Sequence, residues 1–174
     1  MRRASFLLVV ALMGLVATSS PARAGDETHC VSVHDGTVSP GLSIEPSSGS
    51  GDLAGNMECH GPVNGQMPTG VGTYSEEARY GTDDPDTCQD GGEGTAVFVT
   101  HIPTASGDQV FTVPFTFTYG DLATNPGAVT GTFAGDGVHG TFKITPTEGD
   151  CVTKPVTKIH VNADFYFARS FFKR

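Results

Sequence analysis

The side chains best suited to chemistry crowd into one stretch. Residues 73–93 carry Glu76, Glu77, Asp83, Asp84, Asp86, Asp90 and Glu93, with Arg79 as their one cation. Calcium takes six to eight oxygen ligands, and Asp83, Asp84, Asp86, Asp90 and Glu93 offer several from a single loop. The spacing departs from an EF-hand, because Cys88 stands at the fifth position counted from Asp84. Calcium held by such a loop is expected to bind weakly, at roughly 10⁻⁴–10⁻³ M. The plainer expectation is a solvated acidic loop. Glu76 and Glu77 also form a carboxylate pair of the kind a small extracellular hydrolase uses. Neighbours along a strand point to opposite faces, however, which argues against their acting together.

The six histidines, His29, His34, His60, His101, His139 and His160, form no His-Glu-x-x-His and no His-x-His pair. His29 and His34 flank Cys30, so a Cys30–Cys59 bridge would draw both towards His60. Three imidazoles together would suit zinc or copper; separate surface histidines are the ordinary expectation. Nucleophilic catalysis has little support. There is no Gly-x-Ser-x-Gly elbow, and Ser50 lies in a Gly-Ser run that would hold a nucleophile poorly. Tyr74, Tyr80, Tyr119 and Tyr166 are the candidate aromatic platforms for a glycan, each a flat ring with a polar tip. The chain has no tryptophan to strengthen that reading.

Four cysteines, Cys30, Cys59, Cys88 and Cys151, contain no Cys-x-x-Cys spacing. Zinc and thiol-redox chemistry are therefore weakly supported. In an exported chain an even number reads as disulfides, with three connectivities open. Cys30–Cys59 with Cys88–Cys151 is preferred because it closes loops of moderate length. Each bridge is expected to stabilise by roughly 2–4 kcal/mol.

The elements that must position these residues are strands. In the run 110–118, Phe111, Val113, Phe115 and Phe117 alternate with Thr112, Pro114, Thr116 and Thr118, an apolar face backed by a threonine face. Residues 128–133 and 138–144 read as a hairpin around Ala134-Gly135-Asp136-Gly137. Residues 156–167 put Ile159, Val161, Ala163, Phe165 and Phe167 on one side. Further strands are expected at 28–34, 38–44, 53–59 and 95–101, with Asp35-Gly36 punctuating the first two. Residues 61–72 read as a long irregular loop. Pro114 places its strand at an edge or a bulge. The C-terminal Phe171 and Phe172 are expected to pack, or to fray with the tail. Many short strands and frequent turns predict an all-β antiparallel sandwich; a closed β-barrel is the alternative.

Residues 1–24 read as a signal peptide. Arg2 and Arg3 precede an apolar centre at 6–16, and Ala22-Arg23-Ala24 fits a cleavage site. Residues 25–174 are then one secreted domain. Without Arg2, Arg3 and Arg23 the chain keeps 7 of its 10 basic residues against 19 acidic ones, a net charge of −12. That disfavours nucleic acid and anionic membrane as partners, and the apolar centre is too short to span a bilayer.

Several segments have a familiar cast: Cys59-His-Gly-Pro-Val-Asn-Gly65, Tyr80-Gly-Thr-Asp-Asp-Pro-Asp-Thr-Cys88, Ile102-Pro-Thr-Ala-Ser-Gly107 and Gly149-Asp-Cys-Val-Thr-Lys-Pro-Val-Thr157. Across most of the mature chain the sequence resembles a group of small exported, β-rich actinobacterial proteins with four cysteines. The resemblance implies secretion and paired cysteines, and it carries over no active-site residue. The reading that follows is a secreted, disulfide-stabilised, non-catalytic β-sandwich. It would bind a glycan or cell-envelope ligand or serve a structural role, with no cofactor beyond weak calcium. A metal-binding protein and a carboxylate hydrolase are the alternatives.

Overall fold

The computed structural model describes residues 27–123 and 128–173. The expected signal peptide, 1–24, lies outside them. Eight strands follow in order: β1 (Glu27–Leu42), β2 (Gly49–His60), β3 (Gly72–Tyr80), β4 (Gly92–Thr104), β5 (Gly107–Tyr119), β6 (Val129–Gly135), β7 (Val138–Glu148) and β8 (Val156–Ala168). A short 3₁₀ turn, Phe171–Lys173, ends the described chain. Each strand pairs antiparallel with its sequence neighbours, and β8 returns to pair with β1 over Glu27–Thr37. The all-β antiparallel class stands. Its form is one sheet closed on itself, the alternative architecture, rather than two sheets laid face to face.

Alternation of side chains across the pleat sorts every strand into an inner and an outer row. The inner row of β5 is Phe111, Val113, Phe115, Phe117 and Tyr119, and that of β8 is Ile159, Val161, Ala163, Phe165 and Phe167. Phe98, Phe165 and Phe167 are almost fully buried near the middle of the interior. Their rings meet edge-on, with centroids 5.3 Å apart for Phe98–Phe165 and 6.2 Å for Phe98–Phe167. So much aromatic volume fits because glycines face it. A Cβ on Gly131 would sit 2.1 Å from the Phe142 ring, and one on Gly140 would sit 2.5 Å from Phe133. Large and small residues thus interlock across neighbouring strands, as small barrels require.

Asp35-Gly36 does not break the first strand. Gly36 points inward beneath Leu53, where a Cβ would meet the leucine side chain at 2.5 Å, and β1 runs unbroken through it. The glycine makes room for packing; it does not supply a turn.

Both ends of the ring are capped. At one, residues 61–71 fold back so that Val63 is fully buried, and Thr28 Oγ1 donates to the Pro62 carbonyl at 2.7 Å. A Cys30–Cys59 disulfide joins directly opposed residues of β1 and β2 beside this cap. At the other end, Cys88–Cys151 ties the segment after β3 to the segment before β8, and Leu122 packs under it. β6 reaches only Phe115–Tyr119 of β5, so the earlier half of β5 is paired on one side alone. Pro114 sits where that second pairing stops. Phe171 and Phe172 pack beside this stretch, with their ring centroids 5.7 and 5.2 Å from that of Phe111.

The outer rows are mixed: most positions on β5–β8 are polar, while Val33 of β1, Val97 of β4 and Val110 of β5 are exposed apolar side chains. Thr112, Thr116 and Thr118 of β5, Thr130 and Thr132 of β6, Thr141 and Lys143 of β7, and Lys158 and Asn162 of β8 all face out. A membrane barrel carries a polar lumen, whereas the interior here is filled by aromatic and aliphatic side chains. Among the described residues, no helix is long and apolar enough to cross a membrane.

Candidate functional site

The carboxylates of 73–93 scatter. Asp83, Asp84 and Glu93 are exposed. Asp90 accepts from Thr87 Oγ1 at 3.0 Å within its own turn. Asp86 turns inward and is 5% exposed, accepting from the Tyr119 hydroxyl at 3.0 Å. Burial pushes its carboxyl above the usual range, while bonds from Tyr119 and from the Glu93 and Gly81 backbone pull it back. Asp86 therefore works as part of the lower cap. Among the described residues no three His, Cys, Asp or Glu side chains gather as a metal would need.

The histidines divide by the parity of the strand. His29 and His60 lie directly opposite on β1 and β2 and point outward, with ring centroids 6.3 Å apart. His34 is five residues from His29, an odd step, so it points into the barrel and cannot join them. Outside, His60, His29, Tyr166 and His139 make a row of rings across β2, β1, β8 and β7. Asp164 accepts from His29 Nε2 at 2.9 Å. His29 and His139 each stack on Tyr166, while His60 is tilted against His29 and stays largely exposed. Tyr74, Tyr80 and Tyr119, expected at the surface, are buried inside the barrel. Their expected exposure is thereby corrected: each occupies an inward position of its strand. Ser50 is exposed on β2.

The interior holds a different constellation. The inner row of β3 is Tyr74, Glu76, Ala78 and Tyr80, with Glu77 facing out. A cavity of about 90 Å³ lies between the two halves of the core, walled by Leu53, Phe117, Phe142, Ile144, Val161 and other apolar side chains. His34, Tyr74 and Glu76 also line it. The Tyr74 hydroxyl donates to Glu76 Oε2. The imidazole of His34 stacks on the Tyr74 ring with centroids 4.6 Å apart, and Phe98 backs the other side at 5.3 Å. His34 and Tyr74 belong to β1 and β3, with β2 between them. They meet because the intervening residue is Gly55, where a Cβ would strike the Val33 carbonyl and His34 itself.

Electrostatics follow from the walls. Burial raises the Glu76 carboxyl to about 7 against the moderating bond from Tyr74. Burial, with His160 nearby, lowers the His34 imidazole to about 4, so it is neutral at pH 7. Burial and the neighbouring Glu76 push the Tyr74 phenol up, keeping it a donor. Glu76 keeps part of its surface open although protein encloses it, because that surface faces the cavity rather than bulk solvent. His34 Nδ1 pairs with Ser32 Oγ at 3.1 Å. No protein group among the described residues bonds the second carboxyl oxygen, Oε1, or His34 Nε2.

This site escaped sequence reading because residues 73–80 look simply polar. The signal was present: Tyr74, Glu76, Ala78 and Tyr80 alternate with Thr73, Ser75, Glu77 and Arg79. A single acid in an otherwise apolar row is the mark of an interior ionisable group. No family model, curated protein or solved structure matches the chain.

Proposed function

We propose that the protein is a secreted barrel that binds a small, mostly apolar molecule with one polar end. The observation that carries this reading is the pair of polar atoms, Glu76 Oε1 and His34 Nε2, in a chamber otherwise lined by hydrocarbon. Neither atom is sealed into the core, since Ser47 Oγ is the buried side-chain polar atom without a partner among the described residues, so both stay open to a molecule in the chamber. Apolar pockets with few convergent polar groups are where ligands bind. Size narrows the class. A cavity of ~150 Å³ takes benzene, so about 90 Å³ suits a molecule of about four or five heavy atoms. Export is supported by the N-terminal sequence, by two disulfides and by the resemblance to exported actinobacterial proteins.

The test is thermal unfolding of the oxidised protein with butanone, 2-butanol and propionamide as probes. At ten times its Kd a ligand adds about 1.4 kcal/mol, a rise of roughly 3–6 °C. Ala78→Leu puts bulk into the chamber, and Gly51→Ala is a milder version whose new methyl meets nothing closer than 3.4 Å. Both variants should stay folded and lose the rise. If all three probes leave Tm unchanged, or if the filled variants respond as the wild type does, the interior is not a binding site.

A further inference from the structure

We infer that the Glu76–Tyr74–His34 group is a proton-transfer centre that enolises a small carbonyl compound held in the barrel, which makes the protein an isomerase-type catalyst. The inference rests on the interior-binding reading above and adds chemistry to it. Three geometric facts carry it. Glu76 presents a free carboxyl oxygen to the cavity while Tyr74 fixes the other. His34 is held at Nδ1 by Ser32 and stacked on Tyr74, so its Nε2 is left to the same cavity. The surrounding wall is apolar, and both ends of the barrel are capped.

The step balances within the site. The Glu76 carboxylate takes the proton from a carbon next to the carbonyl. The C–H electron pair becomes the new C=C bond, and the carbonyl π pair moves to oxygen. That oxygen accepts a hydrogen bond from Nε2–H of neutral His34, in the tautomer in which Ser32 donates to Nδ1. The carboxylic acid so formed returns its proton to the same carbon, or to the other end of the enolate. No oxidant, metal or co-reactant enters. A base acts best when its proton affinity lies near the working pH, and the carboxyl at about 7 meets that condition. A neutral imidazole N–H can polarise the carbonyl oxygen, and His34 is neutral at the working pH.

The experiment follows deuterium uptake at the α-carbons of acetone, butanone and hydroxyacetone by NMR in D₂O, alongside Tm shifts with the same three probes. The wild type should exchange at least one of them about tenfold or more faster than acetate at equal carboxylate concentration, with a rate rising through pH 7. Glu76→Gln should be folded by circular dichroism and show only the background rate. Tyr74→Phe removes the bond that steadies the carboxylate, so its pH–rate midpoint should move up. A purely packing role for Tyr74 would leave that midpoint in place. Binding without exchange, or exchange that survives Glu76→Gln, overturns the catalytic inference and leaves the binding reading standing. Neither binding nor exchange with any probe overturns both.

Discussion

Glu76 and His34 pull the pH dependence of stability in opposite directions. The Glu76 carboxyl rises from 4.5 to about 7 on folding. Its contribution is full below pH 4.5 and is lost as pH climbs to 7. The His34 imidazole falls from 6.5 to about 4. Its contribution is full above pH 6.5 and is lost as pH drops to 4. Between 4.5 and 6.5 the two slopes offset each other, each worth at most about 3 kcal/mol. Wild-type stability should therefore be nearly level in that window. Glu76→Gln should uncover the His34 slope, with stability rising from pH 4 to 6.5. His34→Gln should uncover the other, with stability falling from 4.5 to 7. Urea midpoints at four pH values across this range decide the matter; a Glu76→Gln protein as level as the wild type would refute the opposed titration. At this scale the sequence disclosed residue types but not directions. His29, His34 and His60 looked like one group, and the five-residue step from His29 to His34 already forbade it, provided β1 ran straight through Gly36.

Strands were legible wherever one face was fully apolar. The inner rows of β5 and β8 are the rows read from alternation, because no other register buries Phe115 or Phe165. Reading failed where glycine or charge masked the pattern. Gly36 serves packing beneath Leu53, although Asp35-Gly36 reads as punctuation in the sequence. β3 hid inside an acidic stretch because its outer row is polar and its inner row contains Glu76. Closure itself needs β1 to pair with β8, an encounter between the two ends of the domain that local pattern does not encode. The C-terminal turn belongs to this scale as well. An unpaired strand edge is a template for association, and Phe171 and Phe172 pack on Phe111 within the singly paired stretch of β5. Replacing both with alanine should lower stability by roughly 2–4 kcal/mol, less than two fully buried phenylalanines would cost because both are partly exposed. It should also make the protein self-associate with rising concentration. Sedimentation velocity reads the second effect, and a variant that is destabilised yet strictly monomeric would show that the turn packs without guarding the edge.

For the whole molecule, the disulfides set the compartment in which this barrel can exist. The Cys30–Cys59 bridge spans 29 residues and the Cys88–Cys151 bridge spans 63. Limiting the unfolded chain over those lengths is worth about 3.6 and about 4.3 kcal/mol. A domain of this size has only about 5–15 kcal/mol in total, so the two bridges together amount to half of it or more. The longer loop should matter more, by about 0.7 kcal/mol, although it joins loops whereas the shorter one joins strands. Its position sharpens that expectation. Cys88–Cys151 holds the cap in which Asp86 and Tyr119 are buried together, whereas Cys30–Cys59 reinforces a β1–β2 ladder already hydrogen-bonded from His29 to Ser39. Cys88→Ala with Cys151→Ala should therefore unfold at lower urea than Cys30→Ala with Cys59→Ala. Full reduction of the native protein should abolish its cooperative transition at 37 °C. A reduced protein that keeps a sharp transition, or a Cys30/Cys59 variant that is the weaker of the two, would mean that the interlocked aromatic interior holds the ring closed without the clamp at its lower end.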